Sequence, residues 1–237
     1  MGPTISLTKT DASDNSSQNI SHKKASKNIK KETLFILDWD DTLMCTSFIA
    51  LKSFNLTEEE KKIVSNLGKT VSTFLEECSR YGKIIIMTNS SEEWMKKTAE
   101  KNLKLNLKIF ENIKIISTRD KYLKQGIEKR KWKEVALEEL ILKFGEKIEN
   151  LICASDSIKD IEVFRNISKG NNEINISTIK FKSKPSPKIM IKEIEYLKKF
   201  LFKIIGTNKH FSLTKEKKKT DDFNLSFGSL LDYIFPN

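Results

Sequence analysis

Five short apolar runs divide this chain, and they constrain its fold more than any other feature. They are Thr33-Leu34-Phe35-Ile36-Leu37, Lys83-Ile84-Ile85-Ile86-Met87, Ile113-Lys114-Ile115-Ile116-Ser117, Leu151-Ile152-Cys153-Ala154 and Ile176 to Phe181. A run with no alternating polar face reads as a strand covered on both sides. Helical patterns separate the runs. Thr57-Glu58-Glu59-Glu60 has capping-box spacing and precedes Ile63, Leu67, Val71, Phe74 and Leu75 on one helical face, with Gly82 as the stop. Ser90-Ser91-Glu92-Glu93 opens a second helix, and Trp132 to Phe144 forms a third that carries Trp132, Val135, Ala136, Leu140 and Phe144 on one side before Gly145. A fourth runs through Ile161, Phe164 and Arg165. A fifth starts near Pro185 and Pro187 and continues through Ile194, Leu197, Leu201 and Ile205. Strands alternating with helices of this length predict an α/β fold: a Rossmann-like parallel sheet of about five strands with helices on both faces.

The 237 residues suffice for one sizeable domain with tails. Residues 1–31 are polar and aperiodic and read as a disordered tail; 32–205 hold the periodic domain. Residues 206–237 form a basic and apolar extension, in which Phe223 to Phe235 is expected to dock on the domain, with a partner-binding helix as the other reading. The formal charge of +11 suits nucleic acid, acidic proteins or anionic lipid. The lysines are spread rather than interleaved with aromatics, so nucleic acid is the less favoured partner, though it is not excluded.

Three dispersed cysteines without a Cys-x-x-Cys pair argue against a disulfide framework or a thiolate zinc site. The two histidines, His22 and His210, fall outside the periodic core, which disfavours a histidine triad. There is no apolar run of about 18 residues, as a membrane-spanning helix would need. With no secretory apolar region at the start, an intracellular chain is expected, cytoplasmic with a nuclear location left open.

Ligands of open α/β sheets bind at the carboxyl ends of the strands. Asp38, Asp40 and Thr42 follow the first strand, Thr88 and Asn89 the second, and Ser155, Asp156 and Asp160 the fourth. Carboxylates gathered this way repel unless a cation or a proton intervenes, and an all-oxygen ligand set favours Mg²⁺.

This arrangement resembles the haloacid dehalogenase-like (HAD) hydrolase superfamily over roughly residues 32–182. An apolar strand followed by Asp-x-Asp-x-Thr is met by Asp38, Asp40 and Thr42; a strand ending in Thr or Ser by Thr88; and Asp-x-x-x-Asp after a strand by Asp156 and Asp160. Ser155 stands where the superfamily usually has Gly. The motif lysine has three candidates, Lys129, Lys131 and Lys133; Lys133 is preferred because it begins the amphipathic run, with Lys131 next. The resemblance implies that Asp38 is a nucleophile forming an aspartyl-phosphate and that Asp40 is the general acid and base. It further implies that Thr88, with the N–H groups of Asn89 and Ser90, holds phosphoryl oxygens and that the lysine neutralises charge. Thr42 is counted with Asn89 and Ser90 as substrate-binding, the other reading being a hydroxyl that only fixes the loop backbone. Mg²⁺ would be held by Asp38, the Asp40 carbonyl and Asp156, with Asp160 in an outer shell.

Neither gap between motifs has room for a full cap domain, so an open site is expected, suited to a phosphorylated substrate that is bulky, a phosphoprotein among the options. The Trp-Asp-Asp-Thr-Leu form also resembles a group of small eukaryotic members. The leading expectation is a phosphoric monoester hydrolase. The alternative is a catalytically silent HAD-like binding or scaffold module. Motif completeness separates them, and Asp38, Asp40 and Asp156 all stand. Sequence does not settle the oligomeric state.

Overall fold

The computed structural model describes residues 32–169, 173–207 and 209–213. The expected 1–31 tail and the Phe223 to Phe235 segment lie outside the described residues.

Among the described residues, six parallel strands form one sheet: β1 (Glu32–Leu37), β2 (Gly82–Thr88), β3 (Lys114–Ser117), β4 (Ile148–Ser155), β5 (Asn175–Lys180) and β6 (His210–Ser212). Their spatial order is β3-β2-β1-β4-β5-β6. The sequence reading of about five strands is thus one short. β6 has only three residues and a single buried position, too little pattern to read as a strand. Its pairing with β5, Thr178 opposite His210 through Lys180 opposite Ser212, defines it instead. The sheet therefore continues past residue 205, into the segment expected to be an extension, and Phe211 and Leu213 are buried in the core.

Among the described residues, seven α-helices connect and cover the strands: α1 (Thr46–Leu51), α2 (Glu58–Tyr81), α3 (Glu92–Lys101), α4 (Thr118–Tyr122), α5 (Trp132–Phe144), α6 (Ile158–Lys169) and α7 (Pro187–Ile204). The starts of the long helices follow local chemistry. Thr57 caps α2 with a reciprocal Glu60 bond, Ser91 accepts from Trp94 N–H at α3, and Ser186 caps α7 with Pro187 just inside.

The two sheet faces are chemically separate. Phe35, Leu37, Ile84, Ile86, Ile152 and Ile179 point to the layer that holds α2, α3 and α7. Leu34, Ile36, Ile85, Met87, Leu151, Cys153 and Ile176 point to the layer of α5 and α6. Successive strand residues face opposite ways, so the continuous apolar runs fill both layers at once. On α2 the buried stripe is Val64, Leu67, Gly68, Val71, Phe74, Leu75 and Cys78; Ile63 is only half-buried. Gly82 both ends α2 and starts β2, because a β-carbon there would lie 2.0 Å from the Thr33 carbonyl oxygen. All three cysteines are buried free thiols. Among the described residues, no helix is long and apolar enough to cross a membrane.

The order reverses between β1 and β4. Chain leaving β1 runs to the β2 side and chain leaving β4 to the β5 side, so a crevice opens at their carboxyl ends.

Candidate active site

β1 and β4 are neighbours, with Leu37 opposite Ala154, so the residues after each strand emerge side by side. Asp38 remains anchored to the sheet through its N–H to the Ala154 carbonyl (2.9 Å). Its carboxylate is 8% exposed; Oδ1 accepts the Trp39 N–H at 2.8 Å, and Oδ2 receives Lys133 Nζ at 2.8 Å and the Ser155 hydroxyl at 3.2 Å. Burial raises the Asp38 pKa to about 6; the Lys133 ammonium pulls the other way, and the Asp160 charge adds to the rise.

Of the three candidate lysines, the structure brings Lys133 to Asp38. It lies in the first turn of α5, 5% exposed, and bridges Asp38 and Asp160, the latter at 2.5 Å. Lys129 and Lys131 are exposed. Burial by itself would depress the Lys133 pKa, but the two carboxylates outweigh it and hold the ammonium above its ordinary range. Asp160, one turn into α6, is thereby engaged with Lys133 and with the Ser155 hydroxyl at 2.9 Å. The resemblance alone implies a place for it in a metal's outer shell. Ser155, in sequence only a departure from Gly, puts one hydroxyl between two carboxylates.

Asp40 sits apart from this pair. Its carboxylate receives the hydroxyls of Thr46 and Ser90, each at 2.6 Å, and of Thr88 at 3.4 Å. The expectation for Ser90 is an N–H offered to a phosphoryl group. Here that N–H donates to Thr88 Oγ1 at 3.0 Å, and the hydroxyl holds Asp40. Asn89 accepts the Thr118 hydroxyl at 2.6 Å through Oδ1. Thr42 is fully buried and accepts the Asp156 N–H at 2.9 Å, so its hydroxyl ties the β1 loop to the β4 loop. Nothing in the sequence singles out Thr46 or Thr118. Thr46 lies six residues beyond Asp40 in no recognisable pattern, and the contact forms because Asp41, with φ of 55°, turns the chain back. Asp41 in turn accepts the Ser47 N–H at 2.8 Å and the Ser47 hydroxyl.

Trp39, between the two aspartates, packs rather than stacks on a substrate. It is fully buried, donates Nε1 to Thr98 Oγ1 at 3.1 Å and meets Phe110 edge-on. Burial pushes the nearby Cys45 thiol up to about 12, far from a nucleophilic thiolate.

Asp156 is the carboxylate left over. Its backbone N–H and C=O are bonded to Thr42 and Ser183, but among the described residues its side chain accepts no hydrogen bond. Burial first, and then the negative charges of Asp38 and Asp41, raise its pKa to about 7 against the pull of Lys180 and Lys133. Among the described residues no group of three His, Cys, Asp or Glu side chains forms a ready-made metal cage. An unpartnered carboxylate that feels the Asp38 and Asp41 charges suits a hard cation that keeps water or phosphate oxygens in its other positions.

A family model described as NLI interacting factor-like phosphatase matches residues 33–200. The chain belongs to this family. It is therefore a member of the HAD-like superfamily, and the matched span runs from β1 into α7, enclosing every residue of the site. A comparison with curated proteins gives no match. Among solved structures, the chain is similar to the HAD domain of effector protein Lem4 from Legionella pneumophila, at 17% identity and a TM-score of 0.41, over 73% of this chain and 95% of that one. Like the open form expected from the motif spacing, this family member has only α1 and α2 between β1 and β2, and only α3, a 3-10 turn, β3, α4 and short turns between β2 and α5. No cap domain is inserted at either place.

Proposed function

We propose that this phosphatase-family chain hydrolyses phosphoric monoesters through an aspartyl-phosphate on Asp38, with Mg²⁺ as cofactor. The observation that carries the reading is the buried Asp38–Lys133 ion pair at the switch point, with Asp40 two residues on and held apart from it by Thr46 and Ser90.

An Asp38 carboxylate oxygen attacks phosphorus, and the bond from phosphorus to the leaving oxygen breaks. Asp40 gives that oxygen its proton. Asp40 then takes a proton from water, which attacks the same phosphorus; phosphate leaves and the Asp38 carboxylate is restored. The Thr46, Ser90 and Thr88 hydroxyls fix the direction in which Asp40 points. Lys133 stays charged throughout and offsets the charge that builds on the phosphoryl oxygens in a water-poor site. Asp38, the Asp40 carbonyl and Asp156 would hold Mg²⁺, which when bound neutralises the carboxylates and the phosphoryl group.

The absence of a cap at both insertion points supports a bulky or macromolecular phosphomonoester as the substrate. A small substrate would need to be enclosed, whereas a large one can itself cover an open crevice.

Hydrolysis of an aryl phosphate with and without Mg²⁺, wild type against Asp38→Asn, tests the chemistry. Metal-dependent turnover that disappears with the substitution supports it. Wild-type protein that neither hydrolyses any phosphomonoester nor binds Mg²⁺ would replace it with the silent scaffold.

A further inference from the structure

The loop after β5 is held against the site by more bonds than a solvated connection requires. Phe181 donates its N–H to the Ser155 carbonyl at 3.0 Å. Lys180, 7% exposed, turns its ammonium inward to the Phe181 carbonyl (2.7 Å) and the Ser183 hydroxyl (3.3 Å). The Ser183 hydroxyl in turn donates a hydrogen bond to the Asp156 carbonyl at 2.7 Å. Lys182 N–H donates to Glu193 Oε1 at 3.1 Å, and Glu193 is 5% exposed with its second oxygen buried and unpartnered. Pro185 and Pro187 are buried and stiffen the entry into α7. The buried Lys180 ammonium of the loop and the buried Glu193 carboxyl group of α7 are costly to desolvate, and both fix the loop relative to Asp156.

The face this loop shows to solvent is cationic. Lys182, Lys184 and Lys188 are exposed, and no acidic residue occurs from 181 through 192. Lys159, in the first turn of α6 two positions past Ser157, is exposed as well. None of these four lysines forms an ion pair among the described residues. Unneutralised charge on a pre-fixed backbone loses little entropy when it meets an anion, and its field raises the local concentration of anionic substrate.

We propose that Lys182 and Lys184 form a fixed cationic rim beside Asp156 that receives negative charge flanking the scissile phosphoester, so that the chain prefers phosphopeptides with acidic residues next to the phosphorylated one. The proposal rests on the phosphatase reading and adds the substrate's neighbourhood to it. With no cap to select the substrate, selection falls to the groups around the crevice. An acidic peptide needs only fixed cations. A nucleic-acid end would also need aromatic faces for its bases, and residues 182–192 contain no aromatic residue.

The test uses the full-length chain with Mg²⁺ and phosphoserine peptides that carry acidic, neutral or basic flanks. The wild type should show a kcat/KM ratio of about tenfold for acidic over neutral flanks at low salt, falling toward one at high salt. The Lys182→Glu/Lys184→Glu variant should invert the order and favour basic flanks. A purely structural defect would lower all three peptides together and leave the order unchanged. An unchanged order in the variant, a wild-type ratio near one, or a preference for a 5′-phosphorylated oligonucleotide overturns the proposal. Aryl phosphate distinguishes the two levels: if the wild type turns it over while the peptides rank equally, the rim alone fails. If the wild type turns over no phosphomonoester, the phosphatase reading fails and the rim falls with it.

Discussion

Lys133 Nζ lies 2.8 Å from Asp38 Oδ2 and 2.5 Å from Asp160 Oδ2, so one buried ammonium compensates a buried and a part-buried carboxylate that stand beyond different strands. Removing it leaves both charges facing each other without a counter-ion. Lys133→Met should destabilise the fold by about 3–5 kcal/mol near neutral pH, measured by urea unfolding. The loss should shrink as pH falls below about 6, where Asp38, its pKa raised by burial, takes up a proton. Adding Asp160→Asn should restore part of the stability and none of the aryl phosphate turnover, because the proposed mechanism needs the ammonium beside the phosphoryl group.

Thr42 and Asp156 form a second link across the crevice, through the Asp156 N–H to Thr42 Oγ1 at 2.9 Å. Thr42→Val keeps the shape and removes the acceptor. A fully buried N–H left without a partner costs about 1–3 kcal/mol, and this part-buried one should cost about 1 kcal/mol. Because the same bond sets the position of the Asp156 carboxylate, apparent Mg²⁺ affinity, read by titration calorimetry, should fall along with stability. Unchanged affinity with lowered stability would separate the loop from the metal.

Gly68 tests packing against propensity. Alanine in the middle of α2 gains about 1 kcal/mol over glycine from helix propensity. A β-carbon at this position would lie 1.8 Å from the Leu103 carbonyl oxygen, so α2 or the turn after α3 must move. Overpacking of this kind costs about 1–3 kcal/mol. Gly68→Ala should therefore lower the melting temperature despite the better helix former.

Glu193 supplies a pH signature. Burial raises its pKa from 4.5 to about 7, with the Asp156 charge adding to the rise and the Lys182 N–H and the Lys180 and Lys182 charges opposing it. The folded state thus keeps this proton where the unfolded chain has lost it, and unfolding becomes relatively easier as pH rises from 4.5 through 7. The full difference corresponds to about 3 kcal/mol. Glu193→Gln keeps an acceptor for the Lys182 N–H but cannot ionise. Its stability relative to wild type should rise between about pH 4.5 and 7 and then level off, checked by urea unfolding at several pH values.

How much was legible in the chain depended on the range of the interaction. The apolar runs, the Thr57 and Ser91 caps and the Pro187 helix start are governed by residues within about one turn of each other, so the α/β class, the strand–helix sequence and the carboxyl-end location of Asp38, Asp40, Thr88, Asp156 and Asp160 came from the sequence by itself. The sixth strand did not. His210, Phe211 and Ser212 carry too short a pattern, and only the exposed edge of β5 makes a strand of them. Nor did the choice among Lys129, Lys131 and Lys133. All three are lysines at a helix start, and burial against Asp38 and Asp160 selects one. The hydroxyls divide in the same way. Thr42 was marked by its motif, but that its partner is the Asp156 N–H, that Thr46 and Ser90 hold Asp40, and that Ser155 lies between two carboxylates are contacts between loops of different strands. Local sequence determines which groups reach the carboxyl edge of the sheet. The order of the strands, set by burial of both sheet faces, decides which of those groups meet.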